Sequence, residues 1–319
     1  MHAPGHSERP RRGRIARLIR DSRLVRPELP AVHRYRLVFS LAALAAVLAC
    51  RGESARSPAP AATPRRIVAL APNLTEIVFA LGSGAALVGV SDYSDYPPAA
   101  RSIPRVGGLE VSAERVASLR PDLVLATREG NARGPVSALA AAGVRVLTLP
   151  TGSLDAVLES IRLCGEALGR REAAVRLADS LARRRAAVRA KSAGRPRPKT
   201  ILLVWPDPPQ AAGGGTFLDD VLTDAGAENL LRARPGWPVV SPEYLTTAPV
   251  EILVLPASPE NRPVFERSLS AGALSRGATR HARVVWMDEA ALTRPGPRVF
   301  DALEDLAAAL HPAAERVSP

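Results

Sequence analysis

The sequence predicts an α/β protein: two Rossmann-like lobes with parallel sheets, joined by a single long α-helix. Three observations carry this expectation. Strand and helix patterns alternate in two similar blocks, and the strands are continuous apolar runs, as parallel sheets covered on both faces require. Between the blocks lies a basic amphipathic run, 169–192, in which Ala174, Leu177, Ala178, Leu181 and Val188 recur on one helical face. One pattern occurs once in each block. SAERVASLRPDLVL (112–125) and SPEYLTTAPVEILVL (241–255) share a serine cap, a glutamate two residues later, a proline and then an apolar strand.

Taken in order, residues 65–71 (RRIVALA) read as a buried strand. Asn73 with Glu76 then forms a capping box that opens a helix through Leu81, closed by Gly82. Residues 86–90 form a second strand. Ser112 caps a helix, and Pro121 introduces the strand 122–126. A helix over 135–142 ends at Gly143, followed by the strand 144–149 and the helix 153–168. In the basic run, Glu172 precedes Arg176 by four residues and Asp179 precedes Arg183 by four, the favourable order for ion pairs on a helix. Neither glycine nor proline interrupts it before Gly194 and Pro196, so it reads as a stiff strut of roughly 36 Å at ~1.5 Å per residue. The second block repeats the plan. A strand over 200–205 is followed by Gly213-Gly214-Gly215-Thr216, which precedes a helix over 217–225 capped by Thr216. Strands 251–255 and 284–287 follow, and a helix over 299–310 closes the chain. The expected organisation is a leader (1–49), a tether (50–64), a first lobe (65–168), a connecting helix (169–193), a second lobe (194–312) and a tail (313–319).

Charge excludes one large class of function. The formal net charge is +12, but residues 1–36 carry +7 of it and residues 170–191 carry +6, which leaves about −1 for the rest. The lobes are therefore nearly neutral, and a groove that tracks nucleic-acid phosphates is not expected. The leader charges precede an apolar run of 13 residues, 37–49, which is too short to span a bilayer comfortably and has the form of a signal-peptide core. Val47-Leu48-Ala49-Cys50 resembles a bacterial lipoprotein box, in which the cysteine receives lipid and becomes the new N-terminus. The long stretch before the apolar run fits either an extended leader or a downstream translation start. Residues 51–64 (RGESARSPAPAATP) are aperiodic and rich in Pro, Ala and Ser, as a flexible tether would be. Cys164, the other cysteine, sits in an apolar pattern and reads as a small core residue.

The residue inventory argues against catalysis. GxSxG, HExxH, Walker A and GxGxxG motifs are absent from the sequence. Beyond the leader the histidines are His281 and His311, too few for a multi-histidine zinc or manganese site, and no metal site is expected. The triple glycine at 213–215 is either a plain loop or a row of N–H groups facing an anion at a helix N-terminus. Aromatic residues make up 4% of the chain, so where they fall is informative. Tyr93 and Tyr96 follow a strand, Trp205 ends one, and Trp237 lies in the Pro-rich loop RPGWPVVSPE. Parallel α/β sheets bind ligands at the carboxyl ends of their strands. Large rings at such ends suit a wide, flat, apolar-faced ligand.

Five segments give a family resemblance: GVSDYSDYPP (89–98), SAERVASLRPDLVLATREGN (112–131), FLDDVLTDAGAENLL (217–231), GWPVVSPEYL (236–245) and RPGPRVFDALEDLA (294–307). From Arg65 to the closing helix the chain resembles the cobalamin-binding receptors of vitamin importers. These belong to the wider class of ABC-transporter receptors for cobalamin, haem and iron–siderophores. The resemblance implies a ligand held between two lobes with little hinge closure. It implies ligand contacts at Tyr93, Trp205, Trp237 and Asp288, and it carries Leu109 and Arg128 as further cleft candidates. Glu114 and Glu243 match two carboxylates that dock onto arginines of the membrane permease. Thr127 and the Gly108-Leu109 region stand where the cobalamin receptors have aromatic residues, so the aromatic lining is thinner here. The implied protein is a monomeric, membrane-anchored receptor on the extracytoplasmic side, without enzymatic activity or cofactor. Its partners are a permease dimer and a cytoplasmic ATPase. Its ligand is cobalamin or another corrinoid, with haem or a ferric siderophore as the alternative inside the class. Outside the class stands a non-transport corrinoid- or metal-linked enzyme subunit or surface scaffold.

The lipoprotein box makes the anchor testable. Cys50→Ser is expected to release the protein from the membrane fraction on cell fractionation; unchanged membrane attachment would reject lipidation at Cys50.

Overall fold

Alternation along short strands decides which of two cores each residue serves. In the computed structural model, which describes residues 63–108 and 110–312, β1 (Ile67–Ala69), β2 (Leu87–Val90), β3 (Leu123–Thr127) and β4 (Val146–Leu149) form a parallel sheet in the order β2-β1-β3-β4. Cys50, Leu109, the leader, most of the tether and the tail lie outside the described residues. Ile67, Ala69, Leu123 and Leu125 face one core, which takes in Leu74, Ile77 and Val78 of α1 (Pro72–Ala80). The residues between them, Val68, Leu70, Val124 and Ala126, face the other, with Val116 of α2 (Ala113–Ser118) and Leu139 of α3 (Arg133–Ala141). Two-sided burial of this kind is why the strands read as unbroken apolar runs. The helices α4 (Leu154–Ala167) and α5 (Arg171–Ser192) follow.

In the second lobe, β5 (Lys199–Pro206), β8 (Ile252–Ala257) and β9 (Arg283–Asp288) are parallel, with the short β7 (Glu228–Asn229) alongside the start of β5. One strand departs from the expected plan. β6 (Pro209–Ala211) runs antiparallel to β5 at the sheet edge. Its one proline, Pro209, is tolerated because at an edge a missing N–H breaks no ladder. The helices here are α6 (Phe217–Asp224), α7 (Pro242–Thr247), α8 (Arg262–Ser270), α9 (Glu289–Thr293) and α10 (Val299–Leu310). Among the described residues no helix is long and apolar enough to cross a membrane.

α5 is more than a strut. Its buried Ala174, Ala178, Leu181 and Val188 belong to one continuous core that includes the inner faces of both sheets. The helix packs so closely on α4 that a Cβ on Gly165 would stand 2.1 Å from Ala174 Cβ. Its charges reach across lobes rather than along the helix. Arg184 pairs with Asp301 (2.6 Å) and Glu304 (2.8 Å) of α10, and Arg185 bridges Asp155 of α4 and Asp224 of α6. The expected Asp179–Arg183 pair is replaced by one between Asp179 and Arg162 of α4 at 3.0 Å. Glu172 and Arg176 do approach, at 3.6 Å, in full exposure.

A second cross-lobe seam corrects the expected capping box. Pro72 occupies the first turn of α1, Ala71 is its N-cap, and no side chain caps it. Asn73 instead donates through Nδ2 to Pro295 O at 3.0 Å. Glu76, 3% exposed, is gripped by the Arg298 guanidinium through Nη2–Oε1 (2.6 Å) and Nε–Oε2 (3.1 Å). Nearby, Arg294 pairs with Asp95, and the Arg298 guanidinium sits 4.0 Å above the Tyr96 ring. Burial pushes the Glu76 carboxyl above its ordinary range even against the pull of Arg298, whereas the Arg294 hydrogen bond holds Asp95 below it.

Removing one member of a buried pair leaves an uncompensated charge, typically at a cost of about 3–5 kcal/mol. Arg298→Met is expected to lose stability on that scale in urea unfolding, and Glu76→Gln with Arg298→Met to lose less. Because the folded-state value of Glu76 lies above its reference of 4.5, the unpaired carboxyl is harmless below that pH. The deficit of the single variant therefore grows as pH rises through the raised folded-state value. A loss below ~1 kcal/mol at pH 7 would show the pair to be dispensable.

Candidate functional site

The carboxyl ends of the first-lobe strands face loops of the second lobe across a cleft of about 410 Å³. Its first-lobe wall is held by one side chain, Asn131. Asn131 Oδ1 accepts from Thr127 N (2.7 Å) and Thr127 Oγ1 (3.0 Å), while Nδ2 donates to Leu70 O (3.0 Å). This ties the loop after β3 to the end of β1. Glu129, next in the wall, turns its carboxylate onto Thr151, accepting from the backbone N and from Oγ1 at 2.8 Å each. Tyr93 is 54% exposed, and its ring lies so near Gly108 that a Cβ there would stand 3.0 Å from it.

The second-lobe wall is built by close backbone contact. Gly213 N donates to Gly236 O (2.9 Å), Gly214 N to Arg234 O (2.8 Å) and Gly236 N to Gly214 O (3.0 Å). A Cβ on Gly213 would sit 2.0 Å from Arg234 O, so only glycine permits the approach. Gly213 and Gly214 thus spend their N–H groups on the neighbouring loop, which favours the plain-loop reading of the run over a row of N–H groups facing an anion. What the contact delivers is Trp237, 42% exposed, standing edge-on to Phe217 at 6.1 Å between centroids.

Both charged residues of the lining, Glu129 and Arg294, have partners within the protein: Thr151 and Asp95. The cleft therefore offers rings, aliphatic surface, hydroxyls and amides, with its one cation ion-paired and its one carboxylate held by neutral donors. Such a lining suits a bulky, mostly apolar or zwitterionic molecule.

Of the residues singled out from sequence, Tyr93 and Trp237 come together on the cleft. Trp205 ends β5 on the second-lobe side, 45% exposed and outside the lining, with Nε1 donating to Asp207 O at 2.8 Å. Asp288 is occupied as a helix cap, its Oδ1 accepting from Ala291 N at 2.7 Å at the start of α9. Arg128 opens on a separate first-lobe hollow. Asn131, Glu129, Phe217 and Arg294 were not singled out. Only the fold brings their distant segments together, and a polar residue in a loop carries no periodic signal.

Glu114 and Glu243 occupy equivalent places. Each lies exposed in the first turn of a short helix whose serine cap, Ser112 or Ser241, accepts a backbone N–H at 3.2 Å. Among the described residues neither carboxylate has an ion-pair partner.

Comparison with known proteins agrees with this geometry. The family model described as periplasmic binding protein matches residues 67–285. The chain is 32% identical over 256 residues to an uncharacterized ABC transporter substrate-binding lipoprotein of Bacillus subtilis, covering 78% of this chain and 81% of the relative. It is 30% identical over 247 residues to the vitamin B12-binding protein of Photorhabdus laumondii, covering 77% and 87%. Among solved structures, the apo periplasmic haem-binding protein of Roseiflexus superposes with a TM-score of 0.70 at 30% identity, covering 77% of this chain and 97% of that one. The periplasmic vitamin B12-binding protein of Vibrio cholerae gives 0.69 at 26% identity, covering 78% and 97%. The two-lobe α/β architecture expected from sequence is the one these neighbours share. The chain belongs to the periplasmic binding protein family, whose members bind substrates and are not enzymes.

Proposed function

We propose that this periplasmic binding protein is the extracytoplasmic receptor of an ABC importer. It holds a corrinoid, cobalamin in the first instance, between its lobes and delivers it to a permease dimer driven by a cytoplasmic ATPase. The observation that carries the ligand assignment is the lining: Tyr93 and Trp237 with Phe217 in a cleft whose one cation, Arg294, is paired with Asp95 and whose one carboxylate, Glu129, is hydrogen-bonded to Thr151. A corrin is wide and apolar-faced with a rim of neutral amides, which hydroxyls and backbone groups satisfy. An anionic ferric siderophore asks for free cations in the cleft. Haem is the second reading. Haem-binding neighbours superpose as well as the B12-binding one, and the Tyr93 phenol is an axial-ligand candidate. A lipid anchor at Cys50, a monomeric state and independence from nucleic acid complete the proposal. The near-neutral lobes support the last of these.

Titration of the purified protein with cyanocobalamin, haemin and a ferric siderophore tests the assignment, with cyanocobalamin expected to bind tightest. Trp237→Ala is expected to weaken that binding by about 1–3 kcal/mol, the scale of one large buried contact. Tightest binding of haemin would replace the corrinoid by haem. Wild-type affinity in alanine variants of Tyr93, Trp205 and Trp237 alike would move the ligand out of this cleft.

Permease docking is assigned to Glu114 and Glu243. Their unpaired carboxylates project from equivalent helix starts, where the dipole contribution alone is about 0.3–1 kcal/mol each. A permease arginine left facing a missing partner in a desolvated interface costs several kcal/mol. Glu114→Ala with Glu243→Ala is expected to leave ligand affinity intact while uptake and permease association fall sharply. Parallel loss of ligand binding would assign the carboxylates to the ligand, and full retention of uptake would reduce them to helix starters.

A further inference from the structure

A second hollow lies directly behind the first-lobe wall of the cleft. It measures about 230 Å³, and Thr127 and Asn131 line both spaces, so one layer of hydrogen-bonded side chains separates them. Its other sides are Arg128, Arg133, Val136, Ser137 and Thr148. The two spaces differ in charge. The cleft has one cation and one carboxylate, each with a partner; the hollow has two guanidiniums and no carboxylate.

Neither guanidinium is spoken for. Among the described residues, the side chains of Arg128 and Arg133 make no hydrogen bond and no ion pair, while Arg162, Arg184, Arg185, Arg294 and Arg298 all have carboxylate partners. The carboxylate nearest in sequence, Glu129, is turned away onto Thr151 on the cleft side. The Arg128 backbone is fixed by its N–H to Leu149 O at 2.9 Å, which anchors the root of that side chain at the hollow. Two hydroxyls, on Ser137 and Thr148, add donors at the same place. Two guanidinium forks beside hydroxyl donors are a recognition set for the oxygens of a phosphate or carboxylate. The volume admits one such group rather than a whole ligand.

We infer that this hollow is an oxyanion subsite that takes the negatively charged arm of the ligand whose body fills the cleft. The inference rests on the corrinoid reading, and for cobalamin the group is the phosphodiester of the nucleotide arm. That arm reaches the two guanidiniums past Thr127 and Asn131, the side chains that both spaces share, and exchanges solvent for them. Cleft and hollow then divide the work, the apolar cleft holding the corrin and the hollow reading whether the anionic arm is present.

The test compares cyanocobalamin with dicyanocobinamide, the same corrin lacking the nucleotide arm and its phosphodiester. Both are titrated by calorimetry into the wild-type protein and into Arg128→Ala/Arg133→Ala. The wild type is expected to bind cyanocobalamin at least tenfold more tightly than dicyanocobinamide. The double variant is expected to lose at least tenfold for cyanocobalamin and less than twofold for dicyanocobinamide, the latter also showing that it folds. Arg128→Lys/Arg133→Lys is expected to recover part of the loss. Equal affinity of the wild type for the two corrinoids, or an equal loss of both in the variant, overturns the subsite and leaves the corrinoid reading standing. Failure of both corrinoids to bind the wild type overturns the subsite and the corrinoid reading together.

Discussion

The buried ion pair between Glu76 and Arg298 is the contact on which the relation of the two lobes depends. A carboxylate 3% exposed is unfavourable unless a cation meets it with two hydrogen bonds, and Arg298 from the far end of the chain supplies both. The same guanidinium lies over Tyr96, Arg294 reaches Asp95, and Pro295 receives the Asn73 amide. Four contacts within one short segment of the second lobe thus seat it on the first. At Glu76 and Asn73, which are buried, the geometry is held by desolvation as much as by charge, whereas Asp95 and Tyr96 are exposed. Beside this seam, where Leu177, Leu181 and Arg184 line one hollow with Glu76, Tyr96 and Arg298, α5 contributes apolar residues to a core common to both sheets, and Arg184 and Arg185 tie it to α10, α4 and α6. The cleft is bounded by lobes joined by the Arg294–Arg298 segment and by α5.

Where lobes do not close far around a ligand, the walls must be complementary beforehand, and internal contacts decide which groups they present. Asn131 holds the first-lobe wall by satisfying three polar groups, and the Gly213–Gly236 backbone contact holds the second. The cations and carboxylates of the cleft are spent on protein partners, so what remains to meet a ligand is ring, aliphatic and neutral polar surface. Charge available to an arriving molecule lies outside the cleft, in the guanidiniums of Arg128 and Arg133 and the carboxylates of Glu114 and Glu243. An interior that selects by shape and an exterior that offers charge are suited to different partners, a compact neutral ligand body and a charged neighbour.

The α/β architecture was legible in the sequence because it rests on local, periodic signals. Apolar strands at 67–69, 123–127 and 252–257, serine and threonine caps at Ser112, Thr216 and Ser241, and the helix Val299–Leu310 all declare themselves within a few residues. Charge distribution likewise separated the basic leader and connecting helix from the nearly neutral lobes. Ring placement pointed to Tyr93 and Trp237, which the fold brings to one cleft from residues far apart in the chain.

Tertiary structure alone decided the rest, and the reason is the same each time: a polar side chain has several local uses, and only distant neighbours choose among them. Asn73 and Glu76 have capping-box spacing, yet Pro295 and Arg298, more than two hundred residues away, claim them. Asp179 has a helical partner at Arg183 but meets Arg162 of the packed neighbouring helix. Asp288, at a strand end where ligand contacts occur, is taken by the N–H of Ala291. β6 is a strand only because β5 and the Val239 loop flank it, which lets a proline-rich segment pair at an edge. Periodicity in sequence determines elements and faces; competition among distant polar partners, settled by burial, determines which side chains are left for a ligand.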